Sequence, residues 1–523
     1  MKIWPWSKVN IKLPGKGEIV AVLGVLMICW VASAGAVIDV PLSSVLESAP
    51  ANRELRVIVR LRDFGDLKSN RENKFSREEL IRGRRANAFA SQKRLGAFLR
   101  EHPIQKVTPL WLINGFAMTA NSDAIRKLAL HPWVDSVSLN QTLSISPPVY
   151  SSEVSPGWNI SHINAPSLWS LGFTGSGVVV GVMDTGADID NPHLQSSYRG
   201  GSNSWFDPMG IYPAPHDTHG HGTQVLGVIL GSNDIDAPIG VAPAATWIAA
   251  KIFNDAGVAD TENIHRSFEW MLDPDGNPNT NDAPQIVNCS WGLTEYVDQC
   301  QTEFQADISY LRQAGIAVVF AAGNENVNPS LPCSVSPANY PESISVGAVD
   351  SSSIIASFSS RGPSACDNAI YPKFVAPGKS IETCDLSFGG LFDQHVYVDG
   401  TSFAAPHVTG AMVLLLSAFP ELNVVQLEKV LTFSAVDLGT AGPDNSYGYG
   451  LIDSAEAYQL AKSLLAGDAD LNCEVTISDI AVLAGEWLNC DSVGCMSDMN
   501  GDGNVDFADF VSFANNFNKN SCL

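Results

Sequence analysis

Four short stretches carry side chains suited to acyl transfer, and each is ambiguous alone. The apolar run Gly177–Met183 stops at Asp184-Thr185-Gly186. An Asp-Thr-Gly carboxylate can serve an aspartic-protease-type site, but that chemistry needs two such carboxylates sharing a proton. No second Asp-Thr-Gly or Asp-Ser-Gly occurs, so that reading falls. His219-Gly220-His221-Gly222-Thr223 runs into Val225, Val228 and Leu230 at helical spacing, which sets a histidine at a helix start. His221 directly precedes Gly-Thr-x-Val and is the candidate base; His216 and His219 read as loop histidines or substrate-side contacts. In Ala321-Ala322-Gly323-Asn324-Glu325, Asn324 follows the apolar run Ile316–Phe320 and can aim its amide at a carbonyl oxygen. In Gly400-Thr401-Ser402-Phe403-Ala404-Ala405-Pro406-His407, Ser402 stands where the helix Phe403–Leu416 begins. Unpaired backbone donors there suit a developing oxyanion, although a plain serine N-cap has the same geometry. Together, in the order Asp, His, Asn, Ser, the four are far more specific than any one of them.

These groups must come from strand ends and helix starts. Val178, Val179, Val180 and Val182 form an unbroken apolar run, as expected of a strand buried on both faces of a parallel sheet. Sites in open α/β sheets form at the C-terminal ends of such strands. The chain of 523 residues is long enough for about three to five domains. It is 45% apolar with net charge −24, which excludes global disorder and argues against nucleic-acid binding. No apolar stretch after the N-terminus reaches the roughly 20 residues of a spanning helix, which excludes a polytopic membrane protein.

Lys2, Lys8, Lys12 and Lys16 precede the apolar run Ile19–Ala34, which ends in Ala32-Ser33-Ala34, the pattern of an export signal. No stable membrane span is expected after its removal. Residues 37–150 hold 17 Lys/Arg against 11 Asp/Glu, whereas residues 151–523 hold 10 against 43, so the two blocks should attract. Within the basic block the pattern is β-α-β-β-α-β: a strand at Arg56–Leu61, a charge-rich helix over 72–101, and two strands across Thr108–Thr119 broken at Asn114-Gly115. A helix Asp123–Leu130 capped by Ser122 and a strand Val134–Leu139 complete it. Pro147-Pro148 through Pro156-Gly157 reads as a linker. Of the ten cysteines, Cys29 lies in the signal, and the spacing of the others lacks zinc-site pairs, so disulfides are expected. The pairing we expect is Cys300 with Cys333, Cys366 with Cys384, Cys473 with Cys490 and Cys495 with Cys522, leaving Cys289 a buried free thiol.

On Asp184, His221, Asn324 and Ser402 and their order, the stretch from about Trp158 to Leu460 resembles the subtilases, the subtilisin-like serine peptidases. It is similar in particular to bacillopeptidase F-like members through Tyr198-Arg199-Gly200, Trp205-Phe206-Asp207, Gly240-Val241-Ala242-Pro243 and Asn288-Cys289-Ser290-Trp291-Gly292. The resemblance implies an α/β fold, with a subtilisin-like parallel sheet covered by helices on both faces. It also implies an inhibitor-type α+β prosegment that binds its own enzyme until cut away, at a bond we place between Asn140 and Trp158. Asp184, His221 and Ser402 become the catalytic triad and Asn324 the oxyanion donor. Ser290-Trp291-Gly292 becomes the edge that pairs with polypeptide substrate, and the large Trp291 is expected to narrow the neighbouring pocket. The alternative is a catalytically inactive scaffold that serves as a calcium-dependent binding protein.

After about Leu465 an acidic pattern appears twice. Asp468, Asp470, Asn472 and Asp479 in one copy, and Asp498, Asn500, Asp502, Asp506 and Asp509 in the other, put oxygen side chains where an EF-hand loop holds Ca2+. The pair resembles a small all-α dockerin module, which implies a cohesin-like or cell-surface partner. The expected organisation is a signal peptide over 1–34, a prosegment over 35–147, a peptidase domain over 148–465 and a dockerin-like module over 466–523. The product would be secreted, extracellular or attached to a cell surface.

Overall fold

The computed structural model describes residues 36–63, 76–152, 156–232, 238–388, 395–469, 475–488, 495–500 and 504–517. The expected signal peptide, together with Asp470, Asn472, Asp502, Cys473, Cys490 and Cys522, lies outside the described residues.

Seven strands form the central sheet, in the order Phe374–Pro377, Ile344–Val349, Ala317–Ala321, Ile286–Cys289, Val179–Asp184, Thr246–Lys251 and Trp205–Phe206. Every neighbouring pair is parallel. The strands read as continuous apolar runs because both faces are covered. Val180 and Val182 enter one core with the helices His221–Leu230 and Thr401–Ala418. Met183, Val287 and Cys289 enter another with the helices Thr261–Leu272 and Gln305–Gln313. Period-2 side-chain alternation sends neighbouring residues to opposite faces, so one strand feeds two cores. Thr401–Ala418 is long and apolar enough to cross a membrane by composition, but it is mostly buried among these strands.

Residues 36–139 build a five-stranded sheet in the order Val37–Ile38, Val134–Leu139, Glu54–Leu61, Gly115–Asn121, Ile104–Leu110. Helices Arg77–Glu101 and Ser122–Ala129 pack with it. Ser76 and Glu79 close the first helix with a capping box, whereas the second is capped by Asn121 and not by Ser122. Both residue types cap well, and here the Asn121 side chain accepts from the Ala124 amide, which makes Ser122 the first helical residue. The hairpin turns over residues 111–114, with Asn114 at φ 50°, and Gly115 opens the next strand because a Cβ there would lie 2.3 Å from the Val59 carbonyl oxygen. Val57 and Val59 face this unit's own core, while Ile58 on the opposite face joins Leu110 and Ile113, against which Ala306 of the large unit packs.

Cys300 is bonded to Cys366, which corrects two expected pairs. Loop packing brings their Cα atoms to 4.8 Å across 66 residues. Cys333 and Cys384 are instead buried thiols, as is Cys289. Sequence proximity misled the expectation, because Cys384 closes the strand Ile381–Cys384 and points its sulfur at the Thr223 carbonyl under the His221 helix. Cys495 is disulfide-bonded.

The last described helices, Ile477–Glu486 and Phe507–Asn516, both begin with capping boxes, Thr476 with Asp479 and Asp506 with Asp509. They enclose a small core of Val475, Leu483, Met499, Val505 and Phe513. This unit sits on the helix Val424–Ser434, where Lys429 Nζ meets Asp498 Oδ2 at 2.9 Å with both side chains buried. Gln426 and Asn423 donate to the carbonyls of Met499 and Asn500.

Candidate active site

Asp184 ends its strand, and Oδ1 lies 2.8 Å from His221 Nδ1 with both side chains buried. His221 opens its helix, and the approach is close: a Cβ on Gly222 would fall 2.2 Å from the Gly186 carbonyl oxygen, so only glycine fits. Asp217 fixes the preceding turn by accepting from the amides of His219, Gly220 and Thr223. His216 stacks on Tyr212 and His219 stands beside His221, ring centroids 6.4 Å apart; neither is bonded to Asp184. Burial lowers the pKa of His219.

Ser402 is the second residue of the Thr401–Ala418 helix. Its hydroxyl donates to the Ser290 carbonyl at 3.2 Å, and the Ser290 hydroxyl donates back to the Ser402 carbonyl at 2.7 Å. Asn324 Oδ1 accepts from both the amide and the hydroxyl of Thr401, at 2.9 Å each. That fixes the amide plane and leaves Nδ2 as the group available to a ligand oxygen. His221, Ser290, Trp291, Gly292, Asn324 and Ser402 all line one cavity of about 130 Å³. The chain therefore brings Asp184, His221, Asn324, Ser402 and the Ser290-Trp291-Gly292 edge together. Trp291 is buried, its indole edge-on to Phe304 and Phe320, so it stiffens the cleft from the core side.

The same cavity is lined by residues 144–149, where the basic block runs into the linker. Thr142–Ser144 pairs antiparallel with Val258–Asp260, and the Ile145 amide donates to the Gly257 carbonyl. Beyond the cavity Val149–Tyr150 pairs antiparallel with the strand His395–Asp399. A peptide is thus held extended across the cleft by strand pairing on both sides, as peptides add to exposed sheet edges.

Sequence reasoning missed Thr401, Asp217 and Thr185, whose hydroxyl accepts from the Gly222 amide. It also missed Lys251, fully buried, with Nζ on the Thr185 carbonyl at 2.6 Å and on Asp255 at 3.1 Å. A lysine closing an otherwise apolar strand was the available signal. Of the expected calcium ligands, Asp468, Asp479, Asp498 and Asp509 are buried. Burial raises the pKa of Asp509, although it accepts from the amides of Met499, Asn500 and Asp506.

A family model described as the subtilase family, Peptidase S8, matches residues 175–450. Bacillopeptidase F of Bacillus subtilis strain 168 is 35% identical over 378 residues, covering 66% of this chain but only 26% of that protein. Subtilisin E of the same strain is 35% identical over 347 residues, covering 66% of this chain and 81% of that protein. A subtilisin of Bacillus pumilus is 36% identical over 302 residues, covering 58% and 98%.

Proposed function

This chain belongs to the subtilase family of serine-type endopeptidases, and on that footing we propose that it is a secreted endopeptidase made as a self-processed zymogen. The observation that carries the reading is the buried 2.8 Å contact between Asp184 and His221, in a cleft shared with Ser402 and Asn324.

In this reading Ser402 Oγ leaves the Ser290 carbonyl, attacks a peptide carbonyl and gives its proton to His221. Asp184 holds the imidazole tautomer through Nδ1–H and stabilises the imidazolium that forms. Negative charge builds on the carbonyl oxygen and is received by Asn324 Nδ2 and the Ser402 amide. Collapse releases the amine, protonated by His221, and leaves an acyl-enzyme that water hydrolyses. Substrate backbone pairs with Ser290-Trp291-Gly292.

Residues 35–147 act as the intramolecular inhibitor. Their charge supports this: Arg56 meets Asp260 and Glu262, Arg60 meets Glu303, Arg77 meets Asp282, and Arg85 meets Asp273. The linker held across the cleft contains the first bond cut. The C-terminal unit, residues 466–523, binds Ca2+ and docks to a cohesin-like or cell-surface partner. Buried Asp468, Asp479 and Asp509 fit a hard cation's demand for oxygen donors, Asp498 would share its carboxylate between the cation and Lys429, and the cation would order the two loops without a part in catalysis.

Mass analysis of secreted Ser402→Ala tests the reading. The variant should retain residues 35–147 while the parent loses them, and only the parent should be labelled at Ser402 by a fluorophosphonate. Loss of those residues from Ser402→Ala without added protease defeats self-processing, and an unlabelled, processed parent points to the inactive scaffold.

A further inference from the structure

Between the helix Thr261–Leu272 and the strand Ile286–Cys289 runs the loop Asp273-Pro274-Asp275-Gly276-Asn277-Pro278-Asn279-Thr280-Asn281-Asp282, which enters its strand at the end of the parallel sheet opposite to Asp184. Carboxylate oxygens of Asp273, Asp275 and Asp282 lie within 4.8 Å of one another. Oxygens this near one another can share one calcium ion, whose bonds to oxygen run to roughly 2.3–2.6 Å. The Asp273 side chain is fully buried, and its Oδ1 has no hydrogen-bond partner among the described residues. A buried, incompletely paired carboxylate is costly unless a cation satisfies it.

Cations do reach this loop, and they come from the basic N-terminal unit. Arg85 Nη1 stands 2.7 Å from Asp273 Oδ2 and donates to the Gly276 carbonyl at 3.0 Å. Arg77 Nη1 donates to the Leu272 carbonyl at 2.9 Å and lies 3.8 Å from Asp282 Oδ1, while its Nη2 donates to the Thr280 carbonyl. Two guanidinium groups thus occupy a set of carboxylate and carbonyl oxygens, the donors a hard divalent ion takes. Inside the loop the Asp275 amide donates to Asp282 Oδ2 at 3.0 Å and the Thr280 hydroxyl lies 3.0 Å from Asp275 Oδ1, which keeps these two residues together.

We propose that Asp273, Asp275 and Asp282 form a calcium site of the processed enzyme, and that Arg77 and Arg85 hold the same oxygens in the unprocessed chain. Cation and prosegment then compete, so calcium promotes release of the cut prosegment and opposes its return. The competition rests on the reading that the prosegment leaves; the site itself does not.

The test uses the full-length Ser402→Ala chain, with its intact mass verified. Calorimetric titration with CaCl2 should find one more bound ion when Arg77→Gln and Arg85→Gln are added. Adding Asp275→Asn and Asp282→Asn should remove that ion again, while the C-terminal loops contribute equally throughout. Equal stoichiometry with and without the arginines overturns the site, whether or not the parent processes itself. Circular dichroism melting shows that each variant is folded. With processed enzyme, raising calcium from about 0.1 to about 10 mM, a span bracketing extracellular sites, should weaken inhibition by added prosegment at least about tenfold. The Asp275→Asn/Asp282→Asn enzyme should show no such change. An unchanged inhibition constant in the parent overturns the competition.

Discussion

On the proposed reading of residues 35–147 as an inhibitory prosegment, replacing Arg60 by alanine should weaken their hold on the peptidase by a calculable amount. Its guanidinium lies 3.0 Å from Glu303 Oε1 and 3.3 Å from Oε2, and it also donates to the Glu303 carbonyl. Burial opposes ionisation of Glu303, but Arg60 and His265 outweigh it and hold the carboxyl down to about 2, so the pair is charged at any working pH. At 3.0 Å and an effective dielectric near 20, the attraction is about 5.5 kcal/mol. Both side chains keep only about a fifth of their surface in water, so desolvation on docking cancels part of this. Truncating one member of such an interfacial pair costs about 2–4 kcal/mol. This corresponds to an inhibition constant about 30- to 900-fold weaker. The assay adds separately produced prosegment, parent or Arg60→Ala, to processed enzyme and follows hydrolysis of a chromogenic peptide at fixed ionic strength. A change below about threefold would show that the pair adds nothing net to the interface.

Asn324→Ala should lower kcat by about 10²–10³ with little change in KM, a magnitude known from subtilisin itself and not worked out from this site. Docking should also depend on pH through Glu269, which accepts the Leu112 amide at 2.9 Å and whose carboxyl is pushed up by burial to about 8. Its pKa is raised in the docked state, so docking is tightest below the ordinary value near 4.5 and weakens as pH rises through 8; Glu269→Gln should flatten that part of the inhibition profile. Peptide mapping without reduction should find Cys300 linked to Cys366, and Cys300→Ser/Cys366→Ser should lose up to about 4 kcal/mol of stability for the 66-residue loop. Chelation should expose residues 467–518 to proteolysis before the peptidase core, and equal resistance with and without chelator would remove the case for calcium in the C-terminal loops.

The parallel sheet was legible because strands covered on both faces must be apolar throughout, and Val178–Met183 could hardly have been anything else. Asp184, His221, Asn324 and Ser402 were legible as motifs because each sits beside glycine or small residues that allow close approach. Their supports were not. Thr401 matters because its hydroxyl and amide meet Asn324, 77 residues away, and no local pattern encodes that meeting. Asp217 looked like one more loop acid until its three amide contacts were in view. The Cys300–Cys366 bond joins two loops 66 residues apart, a meeting that no local pattern encodes. Asn121 and Ser122 are both good caps, and the choice between them is made by the strand that delivers the chain to the helix.

The buried contact between Lys429 and Asp498 has a mechanical consequence. A terminal unit joined only by a supple tether would let the catalytic body tumble about its point of attachment. Here an ion pair and two amide-to-carbonyl bonds, from Asn423 and Gln426, fasten that unit to the Val424–Ser434 helix. Gripped by its far end, the molecule would present its cleft at one fixed bearing, like a blade set in a handle. Which substrates it meets would then depend on orientation as well as on sequence.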